Sequence, residues 1–166
     1  MAEIDLESIR VVLAQAPNPS AGAPSSIQAT TLSTLEKAQA SAPFPVRVPS
    51  YTPGFRFHEG VLIGSPRQVV ILKYVGEDGR FGFSLLEAPA GQYESAPGGP
   101  RRYIVVGDSL SESQVASKRA AVAEILPPPG KEGLNTSLVW ESDGLLLHII
   151  SQGISLSNLG DIAASV

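Results

Sequence analysis

Cysteine is absent from the 166 residues. That excludes a disulfide scaffold, a thiolate zinc site and a cysteine nucleophile. A basic excess is missing too: 12 Lys and Arg stand against 16 Asp and Glu, for a net charge of -4. The electrostatic footprint of a nucleic-acid binder is therefore not there. Long apolar runs are lacking. Near the C-terminus, Leu145–Leu147 is broken by His148 before Ile149 and Ile150, whereas a spanning helix needs about 18 consecutive apolar residues. Aromatic residues make up only 6%, so the place where they gather carries information.

Motifs for cofactors and metals are equally scarce. Gly130-Lys131 has Ile125 where a phosphate loop requires its first glycine. His58 and His148 stand alone, without the carboxylate cluster that would complete a metal site. No cofactor and no metal are expected. What the chain does have is 43% hydrophobic residues with 16 glycines and 14 prolines, enough apolar surface for one domain with many turns.

Leu6, Ile9, Leu13 and Ala16 recur at helical spacing, which predicts an N-terminal helix or tail over residues 1–16. Val11 to Ala16 ends in Ala-x-Ala, but Glu3, Asp5 and Glu7 precede it against Arg10 alone. A secretion signal starts positive and runs longer, so this segment is not read as one. Residues 17–30 are rich in Pro, Ser and Ala and read as a linker. Residues 31–166 are expected to form a single α+β domain.

Within that domain Ser33-Thr34-Leu35-Glu36 has the form of a capping box and starts a short helix. Pro43, Pro45, Pro49 and Pro53 then hold the chain extended. Strands are predicted at 55–63, 68–75, 80–87 and 102–106, with a long Gly- and Pro-rich loop between the last two. Ser111 to Leu126 reads as a helix. Residues 136–141 and 145–151 read as a hairpin around Asp143-Gly144. Ser155 caps a closing helix over 156–164. The expected fold is α+β: a curved, mostly antiparallel sheet of about six strands with helices packed on it. Val70, Leu72 and Tyr74 alternate with Val69, Ile71 and Val75, and 145–150 repeats the pattern. Strands apolar on both sides imply either helices on both faces or one face lining a groove.

Gly107-Asp108-Ser109-Leu110 looks like the opening motif of the serine esterases and lipases named for those letters. A strand, a sharp turn and a helix would present Ser109 as nucleophile. The family's downstream Gly-x-Asn-Asp segment and Asp-x-x-His pair are not in the sequence. Without a base in reach Ser109 is a weak nucleophile, and the competing expectation makes Asp108, Ser109 or Ser111 a helix cap.

Two segments carry a resemblance. One is Thr34-Leu35-Glu36-Lys37-Ala38-Gln39 followed by Pro43-Phe44-Pro45-Val46-Arg47-Val48-Pro49-Ser50-Tyr51-Thr52-Pro53-Gly54-Phe55. The other is Val139-Trp140-Glu141, then Asp143 to Ser151 and Leu156 to Ala163. Together they resemble an uncharacterised bacterial domain family that follows the membrane anchors of anti-sigma-factor-like and sporulation proteins. That family is similar to the outer-membrane lipoprotein carrier and the periplasmic sigma-E regulator, half-barrels with a concave apolar face. The resemblance covers roughly residues 34–87 and 136–166, while 88–135 departs from it. It implies an extracytoplasmic location, in the periplasm or at the cell surface, tethering to a membrane in the full-length protein, and no catalytic residue.

Two functions follow as expectations. One is a non-catalytic extracytoplasmic binding or sensory domain, regulatory in an anti-sigma-factor setting or binding an apolar ligand, with no nucleic-acid partner. Its binding residues would be Tyr51, Phe55, Phe57, Tyr74 and Trp140, which gather on the first two strands and the hairpin. The other is a small serine esterase that uses Ser109.

Overall fold

The computed structural model describes residues 2–15, 27–93 and 101–166. Among them strands account for 54% and helical turns for 14%, with two short α-helices. The expected α+β class is thereby corrected to a mostly β protein. Two segments read as helices account for the difference. Glu3–Asp5 (β1) and Ile9–Ala14 (β2) occupy the predicted N-terminal helix. Ser109–Val115 (β8) and Lys118–Ile125 (β9) occupy the predicted central one.

The physical reason differs between the two. In β2, Ile9 and Val11 point into a core while Arg10 stays outside, so a period of two fits these residues as well as the helical spacing does. In β9, the alanines favour a helix by propensity, yet Ala120 and Val122 enter one core while Ala121 and Ala123 enter another. Only a central strand presents alternate residues to opposite sides. The turn between β8 and β9 is Ala116-Ser117, both at positive φ, the backbone of a two-residue hairpin turn without its usual Asn-Gly signal.

Apart from a strand at 28–32 and a 3₁₀ turn at 90–93, which the sequence reading placed in a linker and a loop, the remaining elements match the predicted positions closely. Gln28–Leu32 (β3) precedes Leu35–Ser41 (α1), whose Thr34 hydroxyl accepts from the Lys37 backbone N–H at 3.2 Å. Phe55–Ser65 (β4), Val69–Gly76 (β5) and Phe81–Pro89 (β6) form a meander. A single 3₁₀ turn, Ala90–Tyr93, leads towards Arg101–Val106 (β7). Asn135–Ser142 (β10) and Leu145–Gln152 (β11) make the expected hairpin, with Asp143 and Gly144 both at positive φ. Leu156–Ala164 (α2) closes the chain behind Ser155, whose hydroxyl caps Asn158. Of the expected linker, residues 17–26 lie outside the described residues, and residues 28–32 pair with β4 as a strand.

Strands β3-β4-β5-β6-β11-β10-β9-β8 form one wholly antiparallel sheet, and β1-β2-β7 a second, small sheet in which β2 and β7 run parallel. Register explains the two-faced strands. One row across the large sheet reads Leu32, Gly60, Leu72, Leu85, Ile149, Leu138 and Val122. The adjacent row reads Ile71, Leu86, His148, Val139 and Ala121, on the opposite face. The first face is covered by α1, α2 and the extended strap through Phe44, Val46 and Val48. The second is covered by the small sheet, with Leu6, Ile9, Val11, Tyr103 and Val105 packed on Val139 and Leu146. Neither sequence expectation holds: helices cover one face and a sheet covers the other. Each fully buried Leu or Ile contributes about 1.5–3 kcal/mol, so both layers are integral to stability.

Candidate functional site

The aromatic residues expected to line a groove are largely core. Tyr74 and Trp140 are each 3% exposed. Tyr74 stacks on Phe83 with ring centroids 4.6 Å apart, and Phe57 meets Tyr74 edge-on at 5.9 Å. Phe55 meets Phe83 edge-on at 5.6 Å and lies over Gly82, where a Cβ would come within 2.4 Å of its ring. Burial pushes the Tyr74 phenol up to about 12, with a further contribution from Glu87. Tyr51 stands apart and half exposed at 51%; its backbone N–H donates to Ser165 Oγ at 3.1 Å, tying the strap to the chain's end. The structure therefore joins Phe55, Phe57 and Tyr74 to Phe83 in one stack, places Trp140 elsewhere in the same core, and leaves Tyr51 outside.

Ser109 begins β8, exposed, opposite Glu124. No helix follows it, so neither the nucleophile-turn geometry nor the helix-cap expectation is met. Asp108 takes the turn role instead: its Oδ2 accepts from the Leu126 N–H at 2.8 Å. His148 is level with Val139, Ala121 and Glu112, three strands and three residues from Ser109. Strand spacing alone makes that about 14 Å, and the two side chains belong to opposite faces. Asp143 sits in the β10–β11 turn and pairs with Arg47. No acyl-transfer triad can assemble from these groups.

Two buried polar groups escaped the sequence reading. Glu87 is fully buried beneath the strap; its Oε2 accepts from the Arg47 N–H at 2.7 Å, and Oε1 has no partner among the described residues. Desolvation pushes its carboxyl up to about 8, against the smaller opposing effect of Arg47. His148 lies between the sheets, with Nδ1 2.6 Å from Tyr103 Oη and Nε2 without a partner among the described residues. Burial lowers its imidazole to about 4 and raises the Tyr103 phenol. Tyr93 meets Tyr103 edge-on at 5.3 Å, and the Arg67 guanidinium lies 4.8 Å over the Tyr93 ring. Both groups are enclosed, so they hold layers together rather than face a substrate.

An accessible concavity lies at the C-terminal ends of β2 and β7. It has a volume of about 660 Å³, with Val12, Leu13, Ala14 and Ile104 as an apolar floor and Arg102 and Asp108 at the rim. Ile104 is 59% exposed. The Arg102 guanidinium has no carboxylate within ion-pair distance among the described residues. A sequence signal did exist: β7 alternates Tyr103 and Val105 inward with Arg102, Ile104 and Val106 outward, and an outward pair of β-branched residues is what a purely solvated face would avoid. A smaller pocket of about 160 Å³ is lined by Glu7, Ser8, Lys118, Arg119, Glu141 and Asp143. Most of its charges are already engaged, Glu141 by Arg101 and Ser8, Asp143 by Arg47, and Arg119 by Glu112. The described residues hold no cluster of metal-ligating side chains.

Comparison with protein families, curated proteins and solved structures finds no match for this chain.

Proposed function

We propose that this chain is a non-catalytic binding or sensory domain acting outside the cytoplasmic membrane, and that it takes an apolar ligand with an anionic end in the groove over β2 and β7. The groove itself carries the reading. An apolar lining of Val12, Leu13, Ala14 and Ile104 adjoins the Arg102 guanidinium, which has no ion-pair partner among the described residues; that combination holds a hydrocarbon body and a charged head together. A fatty acid or an apolar acidic segment of a partner protein has that chemistry. The location and the regulatory, anti-sigma-factor setting rest on the sequence resemblance alone.

The test is titration of the full chain with an anionic fluorescent fatty acid. Saturable binding is expected. Arg102→Ala removes the charge-assisted contact, worth about tenfold or more in affinity. Ala14→Phe fills the floor and should weaken binding with the fold intact by circular dichroism. Binding that neither substitution alters would place the ligand elsewhere and overturn the reading.

A further inference from the structure

Residues 43–49 make up the strap across the first face of the large sheet. Pro43, Pro45 and Pro49 have no N–H to donate. Of the other amides, only that of Arg47 is bonded among the described residues, and its acceptor is the Glu87 side chain rather than a backbone carbonyl. No carbonyl of the strap accepts a backbone N–H among the described residues. Both ends are fixed. The Ala42 N–H donates to the Ala38 carbonyl, and the Ser50 N–H to the Ser165 carbonyl, each at 3.1 Å. Between these anchors the strap is held by half-buried Phe44, Val46 and Val48, by the Arg47 N–H on Glu87, and by the Arg47 guanidinium on Asp143. Asp143 is largely exposed, and an ion pair open to water contributes little.

Glu87 shares its row of the sheet with Val70, Leu147 and Trp140. Under a closed strap, a carboxylate there is a charge in an apolar core with one oxygen unpartnered among the described residues. With the strap lifted, water reaches both oxygens. Lifting it breaks one hydrogen bond and an exposed ion pair and leaves every strand ladder intact, and segments so lightly bonded open as local units. The charged or titratable groups facing Glu87 are Arg47 from the strap and Tyr74 from β5. Lys73 and His148 lie on the opposite face. Helices α1 and α2 turn Ala38, Leu159 and Ile162 to this core and keep Glu36, Lys37 and Asp161 exposed.

We propose that the strap is a proton-controlled flap, closed while Glu87 is neutral and swung out about Ala42 and Ser50 when Glu87 ionises, uncovering Val70 and Leu147. Linkage gives the direction. Burial under the closed flap pushes the Glu87 carboxyl up to about 8, and contact with water returns it towards 4.5. The open fraction therefore rises with pH between those values, by about tenfold per unit, and levels off above them. Tyr74, pushed up to about 12, stays neutral throughout. The flap lies on the face of the large sheet away from the small sheet, so the inference does not depend on what the groove holds.

The chain has no cysteine, so single introduced thiols report the opening. Val46→Cys places one on the strap, and Val122→Cys places one in the same core on β9, at a position 1% exposed. Each is labelled with dithiodipyridine from pH 5.5 to 8.5. Dividing each rate by that of the same thiol in the urea-unfolded chain at the same pH cancels the thiol's own titration and gives the open fraction. For Val46→Cys this fraction should rise about tenfold per pH unit and flatten above pH 8. For Val122→Cys it should stay at least about tenfold lower, because that thiol waits for global unfolding. Adding Glu87→Gln should flatten the Val46→Cys profile. A Val46→Cys profile independent of pH, equal open fractions at the two thiols, or a pH dependence that survives Glu87→Gln would each overturn the inference. The Glu87 chain is read on its own for the first two outcomes, so the inference can fail even where Glu87→Gln does not fold.

Discussion

Tyr103 of the small sheet and His148 of the large sheet share a 2.6 Å hydrogen bond inside the core between them. The remaining contacts in that core are mainly apolar. A polar pair in such a place matters through what its loss leaves behind, because an orphaned buried group costs more than the bond itself contributes. Tyr103→Phe should therefore destabilise the domain by about 1–3 kcal/mol, measured by urea denaturation at neutral pH.

The same pair sets an acid sensitivity. Burial lowers His148 from 6.5 to about 4, so the unfolded chain binds a proton more readily than the folded one. The stability this group contributes is present above pH 6.5 and is lost as pH falls towards 4. Tyr103 meets its ring and Tyr93 meets Tyr103 in turn, while Glu141 further along β10 is paired with Arg101. Melting temperatures between pH 7 and pH 4.5 should fall more steeply for the wild type than for His148→Gln. Equal slopes would show that the imidazole is not the titrating group.

Glu87 acts in the opposite sense. Its folded value of about 8 lies above the ordinary 4.5, so its contribution is complete below pH 4.5 and declines as pH rises to 8. Glu87→Gln keeps an acceptor for the Arg47 N–H and removes the ionisation. The variant should gain on the wild type as pH rises from 5 to 8, by a difference on the order of a few kcal/mol. A constant gap between the two proteins across that range, by chemical denaturation, would refute this account of the strap.

The N-terminal strands belong to the core. Ile9 and Val11 are 2% and 0% exposed against the large sheet. Deleting residues 1–15 uncovers Val139, Leu146 and Ala121, and several buried side chains at about 1.5–3 kcal/mol each exceed the margin of a typical domain. The truncated chain should be unfolded or aggregated at 25 °C by circular dichroism and size exclusion. A cooperative melt near that of the full chain would mean that the small sheet is dispensable.

The β8–β9 turn stores removable strain. Ala116 and Ser117 hold φ of 47° and 67°, where a side chain costs roughly 1–2 kcal/mol per residue. Asn and Gly suit that turn. The double substitution Ala116→Asn, Ser117→Gly should raise stability by about 1–2 kcal/mol, read as a higher denaturation midpoint with an unchanged slope.

Local chemistry was enough to fix several elements in the sequence. Asp143-Gly144 tolerates positive φ, so the β10–β11 hairpin could be read before any contact was known. Ser155 and Thr34 supply side-chain acceptors at helix starts, and the 69–76 and 81–89 strands announce themselves by alternation and β-branching. Tertiary structure decided the rest. Residues 9–14 and 118–125 satisfy both helical and strand periods over so short a span that only their burial partners choose between them. The aromatic residues were legible as a group, but not as core, because their exposure depends on a strap and a helix laid over them from other parts of the chain. Glu87 and His148 look like ordinary strand residues until a second layer removes their water. The groove exists only because β2 and β7, 92 positions apart in their register, lie side by side, and no local pattern encodes a contact between residues that far apart.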